Sequence, residues 1–227
     1  TWTTSEENIA TVVNGDVTAV GVGEATITAT AGEVNATCAV TVVAYANGTY
    51  TLSNPTISKD TALPDGTSSD GAVSWSGLYS NGNDYAYTSS SSKVTVQVAG
   101  PSIITLTGCY NGTNEKTLTV TDSSSNTVIS GVYTSSEQIL SFLYSGDATT
   151  LTIAWSGYAY ITAIKVDDGT GVSDEITDVT ISGTTTCTVG ATINLSATVS
   201  CSYINTDTSV TWSSSDETIA TVDDNGV

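Results

Sequence analysis

The sequence contains no histidine, arginine or methionine, and it has only four lysines and one phenylalanine. Without histidine, neither a Ser-His nor a Cys-His pair can form, which excludes the commonest way of activating a nucleophile. Four bases against 23 acids give a formal net charge of −19. Nucleic acid and anionic membranes bind basic protein surfaces, so both are excluded as partners.

Long apolar runs are also missing, and no stretch approaches the length that a helix needs to cross a bilayer. The four cysteines, Cys38, Cys109, Cys187 and Cys201, lack the spacing of a zinc site. Cys38 and Cys109 lie within alternating apolar patterns, which favours buried free thiols. Disulfides are the alternative in an exported protein, and Cys187 and Cys201 could then pair within one unit.

Valine, isoleucine, threonine and tyrosine are abundant, and these side chains favour strands over helices. No stretch of useful length has helical periodicity. Apolar residues make up 39% of the chain, which is enough to build sandwich cores. We therefore predict an all-β protein.

One stretch of the chain occurs twice, at an offset of 210 residues. Residues 1–12 read TWTTSEENIATV and residues 211–222 read TWSSSDETIATV, with eight of the twelve positions identical. A self-match at a fixed offset identifies the structural unit before any local pattern does. The flanking sequences differ, so the repeat predicts that the chain begins within one unit and stops within another of the same kind.

Short alternating runs surround both copies. They are VTISG at 179–183, INLSATV at 193–199, VTWSS at 210–214, GDVTA at 15–19, GEATITA at 23–29 and ATCAVTV at 36–42. These runs resemble the bacterial immunoglobulin-like domain of group 2, a small antiparallel sandwich of surface proteins and secreted polysaccharide-degrading enzymes. The resemblance implies the closing half of one such domain at 1–43 and the opening half of another at 172–227. It departs at one point, because Gly15 comes one residue earlier in its turn than Gly226.

The middle of the chain, residues 48–168, contains nine short strand patterns separated by polar turns, which indicates an antiparallel β-sandwich. The predicted strands are 49–52, 72–75, 93–99, 102–109, 116–121, 127–133, 138–144, 149–155 and 160–166. Four of these patterns, VTVQV at 94–98, IITL at 103–106, LTI at 151–153 and YITAIKV at 160–166, resemble a jelly-roll carbohydrate-binding module of the galactose-binding-like type. That resemblance implies a polysaccharide partner and an extracellular bacterial protein. The predicted fold class is an antiparallel, jelly-roll-like β-sandwich flanked by two partial Ig-like sandwiches.

Sugar binding needs flat aromatic faces for pyranose rings, with amides and carboxylates beside them to bond the hydroxyls. One polar stretch and one predicted hairpin tip provide these groups. The candidate ligand-binding residues are Tyr79, Asn81, Asn83, Asp84, Tyr85, Tyr87 and Tyr110. The competing interpretation is that these tyrosines pin a loop onto its own sandwich. Tyr158 and Tyr160 fit either interpretation, whereas Trp75 and Trp155 share the parity of apolar neighbours and are predicted to pack in the core.

Acids of the middle domain are scattered singly, in turns or at strand ends, where solubility alone would place them. No pair of carboxylates is predicted to face across a sugar, so we predict that the protein is not an enzyme and needs no cofactor. A structural calcium ion is a further hypothesis, to which Asp167 and Asp168 could contribute.

Two functions are compatible with this organisation. In the first, Ig-like spacers carry a polysaccharide-binding sandwich that attaches a larger secreted enzyme, or the cell surface, to glycan. In the second, the chain is a structural or adhesive repeat of a bacterial surface fibre that binds nothing small. Its partners would then be neighbouring Ig-like repeats of the same or another chain, assembled head-to-tail through complementary halves. Neither function involves insertion into a membrane.

Overall fold

The computed structural model describes residues 1–109, 115–134, 136, 138–204 and 206–227. Within these ranges every regular element is a β-strand, and every strand pairing is antiparallel, which confirms the predicted all-β class. The same residues include no helix of the length and hydropathy that a bilayer crossing requires.

The N-terminal unit consists of a three-stranded sheet, in the order β1-β4-β5, and a hairpin of β2 with β3. Its small core includes Ala10, Ala25 and Ile27, each no more than 3% exposed. The strands are β1 (Trp2–Thr4), β2 (Ala10–Val13), β3 (Asp16–Ala19), β4 (Gly23–Ala31) and β5 (Val34–Val42).

The central unit contains twelve strands, and five of them have the predicted bounds. They are β6 (Gly48–Thr51), β7 (Gly66–Thr67), β8 (Val73–Ser76), β9 (Tyr79–Ser80), β10 (Ala86–Tyr87), β11 (Lys93–Val98), β12 (Ser102–Cys109), β13 (Lys116–Thr121), β14 (Thr127–Tyr133), β15 (Gln138–Tyr144), β16 (Thr149–Trp155) and β17 (Tyr160–Asp168). The two-residue strands β7, β9 and β10 were not predicted, because two residues are too few to show an alternating pattern.

These strands form two sheets that pack face to face around one core. One sheet has the order β15-β12-β17-β10-β9, with β6 paired to β17 beside β10, and the other has the order β14-β13-β16-β11-β8-β7. Alternation along β11 is typical, since Val94, Val96 and Val98 are fully buried between exposed or half-buried polar neighbours. Each such side chain contributes about 1.5–3 kcal/mol when fully buried. Trp155 is buried in this core and Trp75 packs against it half-buried, as predicted.

The C-terminal unit pairs β18 (Ile176–Gly183) with β19 (Leu195–Cys201). The alternating run at 210–214 forms no strand, and the run at 193–199 is a strand only from Leu195 onward. Among the described residues, neither of these non-strand segments pairs with a neighbouring strand. An alternating sequence pattern becomes a strand only where such a partner is present.

The two copies of the repeated stretch form the same turn. In the first copy the Glu6 carbonyl accepts hydrogen bonds from the backbone N–H groups of Ile9 and Ala10, at 3.1 and 3.0 Å. In the second copy the Asp216 carbonyl accepts from Ile219 and Ala220, both at 3.1 Å. Sequence identity at this offset therefore corresponds to the same local backbone.

The one-residue offset between the two glycines is a difference in turn length. In the first copy Val13 pairs with Asp16 across a two-residue loop, Asn14 and Gly15, with φ values of 55° and 95°. Two positive φ angles are the requirement of the tight hairpin turn that Asn-Gly favours. In the second copy the Asp223 N–H bonds to the Val227 carbonyl across three residues, of which Gly226 has a positive φ. Each glycine still lies beneath the tryptophan of its copy.

The prediction of buried thiols is wrong, although all four cysteines are free. Cys38 and Cys187 are exposed, while Cys109 and Cys201 are half-buried. Cys38 lies on the edge strand β5, where nearly every residue is exposed, so its apolar neighbours in sequence do not enclose it.

Candidate functional site

A row of tyrosines crosses three neighbouring strands at one end of the first sheet. Tyr87 on β10 lies directly opposite Tyr79 on β9 and Tyr160 on β17. Residues opposite each other in an antiparallel pair project from the same face of the sheet. The adjacent row of Ser80, Ala86 and Ile161 is fully buried, so the tyrosine row faces outward, away from the core.

Two further tyrosines, each two residues from a member of the row, complete a continuous set of ring contacts. We call Tyr79, Tyr85, Tyr87, Tyr158 and Tyr160 the tyrosine cluster. Ring centroids lie 5.1 Å apart for Tyr79 and Tyr87, 4.7 Å for Tyr87 and Tyr158, 5.4 Å for Tyr158 and Tyr160, and 5.6 Å for Tyr160 and Tyr85. None of the five side chains is fully buried.

The turn between β9 and β10 is held by its own polar groups. The Asn81 side-chain oxygen accepts hydrogen bonds from the backbone N–H groups of Asn83, at 2.8 Å, and Tyr85, at 3.3 Å. Gly82 adopts a φ of 79° within this turn. The Ser80 hydroxyl donates to the Ile57 carbonyl at 2.7 Å, which fixes the turn to the preceding loop.

Asp60 brings a carboxylate to the cluster. Its Oδ1 accepts a hydrogen bond from the Tyr87 hydroxyl at 3.2 Å, and its backbone N–H donates to the Ser80 carbonyl at 2.8 Å. Burial raises the pKa of Tyr87, and the hydrogen bond to Asp60 raises it further. The Tyr87 hydroxyl therefore stays protonated at neutral pH and remains a donor.

Tyr158 is the most exposed ring of the tyrosine cluster, at 37%. Its hydroxyl donates to the Tyr160 hydroxyl at 3.2 Å. Burial raises the pKa of Tyr158, and so does the hydrogen bond to Tyr160. The two hydroxyls are thus linked to each other within the cluster.

The structure brings some of the predicted site residues together and leaves others apart. Tyr79, Tyr85 and Tyr87 belong to one cluster, and Asn83 and Asp84 are exposed beside it, with no side-chain hydrogen bond to the described residues. The Asn81 side-chain oxygen is occupied by its own turn. Tyr110 lies outside the described residues.

Sequence reasoning missed Asp60 and did not decide the roles of Tyr158 and Tyr160. No sequence signal indicated that the strand predicted from Tyr160 adjoins residues 86–87. That adjacency comes from the pairing of β10 with β17, across about 70 residues of chain.

The residues proposed for calcium form other contacts. Asp167 pairs with Lys165 at 2.8 Å, and Asp168 accepts a hydrogen bond from the Thr170 backbone N–H at 2.9 Å. The described part of the chain contains no group of three or more acidic or thiol side chains arranged to hold a metal ion.

Solved structures that resemble the chain come from proteins that act on glycans or carry carbohydrate-binding modules. One is the Clostridium thermocellum endo-1,4-beta-D-xylanase 10B with its CBM22-1 and GH10 modules and xylohexaose, at 14% identity and a TM-score of 0.30, covering 50% of this chain and 25% of that one. Another is Clostridium perfringens ZmpB with its M60, CBM51-1 and CBM51-2 domains, at 14% identity and a TM-score of 0.31, covering 71% and 19%. A third is the Arthrobacter globiformis isomalto-dextranase with panose, at 18% identity and a TM-score of 0.30, covering 67% and 28%.

These scores are too low to transfer a fold or a function, and the chain spans under a third of each of these proteins. No curated protein matches the sequence. The family comparison is specific, but it covers only the C-terminal end and not the tyrosine cluster. Residues 175–227 match the bacterial Ig-like domain (group 2), as the repeated stretch predicted.

Proposed function

We propose that the central sandwich binds polysaccharide without catalysis, and that the tyrosine cluster is its binding surface. The flanking Ig-like units act as spacers in an extracellular bacterial protein. The observation that carries this proposal is the unbroken run of ring contacts from Tyr79 to Tyr85 on the outer face of a sheet. Core packing does not account for these rings, because the cluster lies on the side of the sheet away from the core.

Sugars suit such a surface for a physical reason. A pyranose has an apolar face of C–H groups that packs on an aromatic ring, and hydroxyls at its edge that need hydrogen-bond partners. Asp60, Asn83 and Asp84 are exposed beside the rings and offer carboxylate and amide groups. The cluster therefore combines both types of contact that a sugar requires.

Binding is favoured over catalysis by the acids around the cluster. Glycoside hydrolysis requires two carboxyl groups about 5–9.5 Å apart, on either side of the scissile bond. The Asp60 carboxylate already accepts a hydrogen bond from the Tyr87 hydroxyl. Asp84 lies in the turn between β9 and β10, and no described residue hydrogen-bonds its carboxylate to orient it. The sequence also supplies no histidine as an alternative base.

Affinity electrophoresis tests the proposal directly. The protein is run through gels that contain starch, xylan, hydroxyethylcellulose or pectin, and at least one neutral polysaccharide should slow it. Tyr87→Ala removes the ring that joins Tyr79 to the rest of the cluster and should abolish the retardation. Tyr87→Phe keeps the ring and should retain most of it, which separates loss of stacking from loss of fold.

Tyr45→Ala is the matched control, because Tyr45 is an exposed tyrosine, at 47%, outside the cluster. This variant should be slowed as much as the unmodified protein. Passage of the unmodified protein through every gel without retardation would refute polysaccharide binding. Retardation that survives Tyr87→Ala would place the binding surface elsewhere.

A further inference from the structure

Near-parallel stacking fixes how the first two rings stand on the sheet. The Tyr79 and Tyr87 ring planes differ by 12°, with centroids 5.1 Å apart. Neighbouring strands are about 4.8 Å apart, so parallel rings at this distance stand upright and stack across the strands. The face that Tyr79 turns toward Tyr87 is therefore covered, and so is the corresponding face of Tyr87.

The remaining inner faces are also occupied within the cluster. The second face of Tyr87 meets Tyr158, whose plane is tilted by 33°. Tyr158 meets Tyr160 edge-to-face at 77°, and Tyr160 meets Tyr85 at 57°. The rings thus pack against each other rather than forming a flat strip on which several sugars could lie.

Tyr79 differs from the other rings because it stands at the edge of the sheet. β9 is the last strand in the sheet order. On the side of β9 away from β10, Tyr79 pairs with Ala62 in an isolated antiparallel bridge. Ala62 is exposed and offers only a methyl group beside the ring. The Tyr79 hydroxyl makes no hydrogen bond to the described residues, whereas the Tyr87 hydroxyl donates to Asp60 and the Tyr158 hydroxyl donates to Tyr160.

Polar groups lie next to this edge. Asp60 precedes Ala62 by two residues, and its carboxylate already reaches the neighbouring ring, Tyr87. Asp60 and Lys59 are both exposed. A sugar lying on the outer face of Tyr79 would have a carboxylate available for its hydroxyls.

We infer that the ligand lies on the sheet-edge face of Tyr79 above Ala62, and that this face recognises a single pyranose of a neutral glycan. This inference rests on the proposed function. A one-ring platform contacts one sugar unit, so affinity should not depend on the length of the chain to which that sugar belongs.

The negative charge of the protein favours neutral sugars as ligands. The chain carries a net charge of −19, and Asp60 and Asp84 flank the cluster with Lys59 as the nearby base. A uronic acid or sulfated sugar would add a further negative charge to this surface and would be repelled, most strongly at low ionic strength.

Isothermal titration with sugar ladders tests the inference. The probes are glucose, xylose and galactose, then maltose, cellobiose, xylobiose and lactose, and finally maltohexaose, cellohexaose and xylohexaose. For the series that binds, Kd counted per sugar unit should change by less than about threefold from the shortest binding sugar to the hexasaccharide. A tenfold or larger gain in affinity with added sugars would overturn the single-pyranose inference.

Substitution at the edge tests the ring face itself. Ala62→Leu places a branched side chain beside Tyr79 without removing any tyrosine and should weaken binding at least tenfold. Thr51→Leu is its control, because Thr51 is also exposed and lies on β6 of the same sheet. Tyr79→Ala should abolish binding, whereas Tyr158→Ala should cost clearly less.

The outcomes separate this inference from the proposal beneath it. If gels retard the protein but Ala62→Leu binds as well as Thr51→Leu, the edge face is not the subsite and polysaccharide binding still holds. If Tyr158→Ala costs as much as Tyr79→Ala, several rings contact the ligand and the single-face inference is wrong. If no polysaccharide or oligosaccharide binds, both are refuted.

Discussion

Gly131 leaves the space that the side chain of Ile204 fills. A Cβ added at Gly131 would lie 2.7 Å from Ile204 Cδ1, closer than two carbon atoms can approach. Ile204 is half-buried against the sandwich core, and its backbone N–H donates to the Ser141 carbonyl at 2.9 Å. The turn after β19 is therefore attached to β14 and β15, which ties the C-terminal unit to the sandwich.

This contact predicts a coupled stability effect. Gly131→Ala should lower the free energy of unfolding of the sandwich by about 1–3 kcal/mol, because the new methyl group overpacks the site. Ile204→Ala in the same chain should relieve most of that loss, and urea unfolding followed by tryptophan fluorescence measures both. Gly100→Ala is the control, since a Cβ there would meet nothing within 4 Å. Strictly additive losses in the double variant would show that the two residues do not touch.

Loss of the side-chain hydroxyl is expected to have opposite effects on the free energy of unfolding at Tyr133 and Tyr144. The Tyr133 hydroxyl and the Trp155 indole N–H are buried with no partner among the described residues, and burial raises the pKa of Tyr133. Trp155 lies close enough to oppose that rise in pKa, yet the two groups do not reach hydrogen-bond geometry. The Tyr144 hydroxyl, by contrast, donates to the Asp147 carbonyl at 2.8 Å.

Tyr133→Phe should therefore leave the free energy of unfolding unchanged or raise it, since an unpaired buried hydroxyl costs about 1–3 kcal/mol. Tyr144→Phe should lower it by about 0.5–1.5 kcal/mol through the lost hydrogen bond. Chemical denaturation of the two variants side by side is the measurement. A loss in Tyr133→Phe as large as that in Tyr144→Phe would mean that the Tyr133 hydroxyl has a partner.

Asp70 predicts an acid-dependent contribution to stability. Its carboxylate accepts hydrogen bonds from the Ser68 hydroxyl, the Ala72 backbone N–H and the Tyr50 hydroxyl. The bond from Ser68, followed by that from Ala72, lowers the pKa of Asp70 below its ordinary 3.8. A carboxylate with a depressed folded-state pKa stabilises the protein above its unfolded-state pKa, and the contribution is lost as pH falls through the folded-state value.

Asp70→Asn should consequently lower Tm at neutral pH, and the gap to the unmodified protein should close as pH falls below 3.8. Thermal unfolding between neutral pH and about pH 2.5 follows this convergence. Asp84→Asn provides the comparison, because the Asp84 side chain makes no hydrogen bond to the described residues, and its Tm should match that of the unmodified protein. A gap for Asp70→Asn that is independent of pH would contradict the linkage.

The raised pKa of Tyr158 predicts that stability falls at alkaline pH. Burial and the hydrogen bond to Tyr160 raise its pKa above the ordinary 10.0. Above pH 10 the unfolded state loses this proton while the folded state keeps it, so the stabilisation falls as pH rises toward the folded-state pKa. Titration of tyrosinate absorbance should show a component at high pH whose amplitude falls by one tyrosine in Tyr158→Phe.

Tyr160→Phe is the companion variant, because it deletes the acceptor of the Tyr158 hydroxyl and keeps the ring. It should move the high-pH component part of the way back toward pH 10. An unchanged titration in both variants would show that Tyr158 is not among the tyrosines that titrate late.

The strands of the central sandwich could be predicted well where alternation was long. Ser102–Cys109 and Thr149–Trp155 were predicted to the residue because seven or eight alternating positions define both face and length. Tyr79–Ser80 and Ala86–Tyr87 were not, since two residues carry no periodicity and their strand state depends on pairing.

The candidate site was predicted only in part for the same reason. Residues 79–87 were identified from a local feature, tyrosines among amides and acids. Asp60 and Tyr158 joined them through packing between distant segments, as did the ring contact of Tyr85 with Tyr160. Solvent exposure was also misjudged for Cys38, because exposure depends on which strand becomes the edge.

The sequence by itself determined the strand-forming composition, the outward and inward parity of the long strands, and the repeated turn after Trp2 and Trp212, since all of these depend on neighbours close in the chain. Only the tertiary structure decided that β10 lies between β9 and β17, and this register placed Tyr79, Tyr87 and Tyr160 in one row. The physical reason is that pairing between distant strands depends on the packing of the whole sandwich, whereas alternation depends only on local backbone geometry.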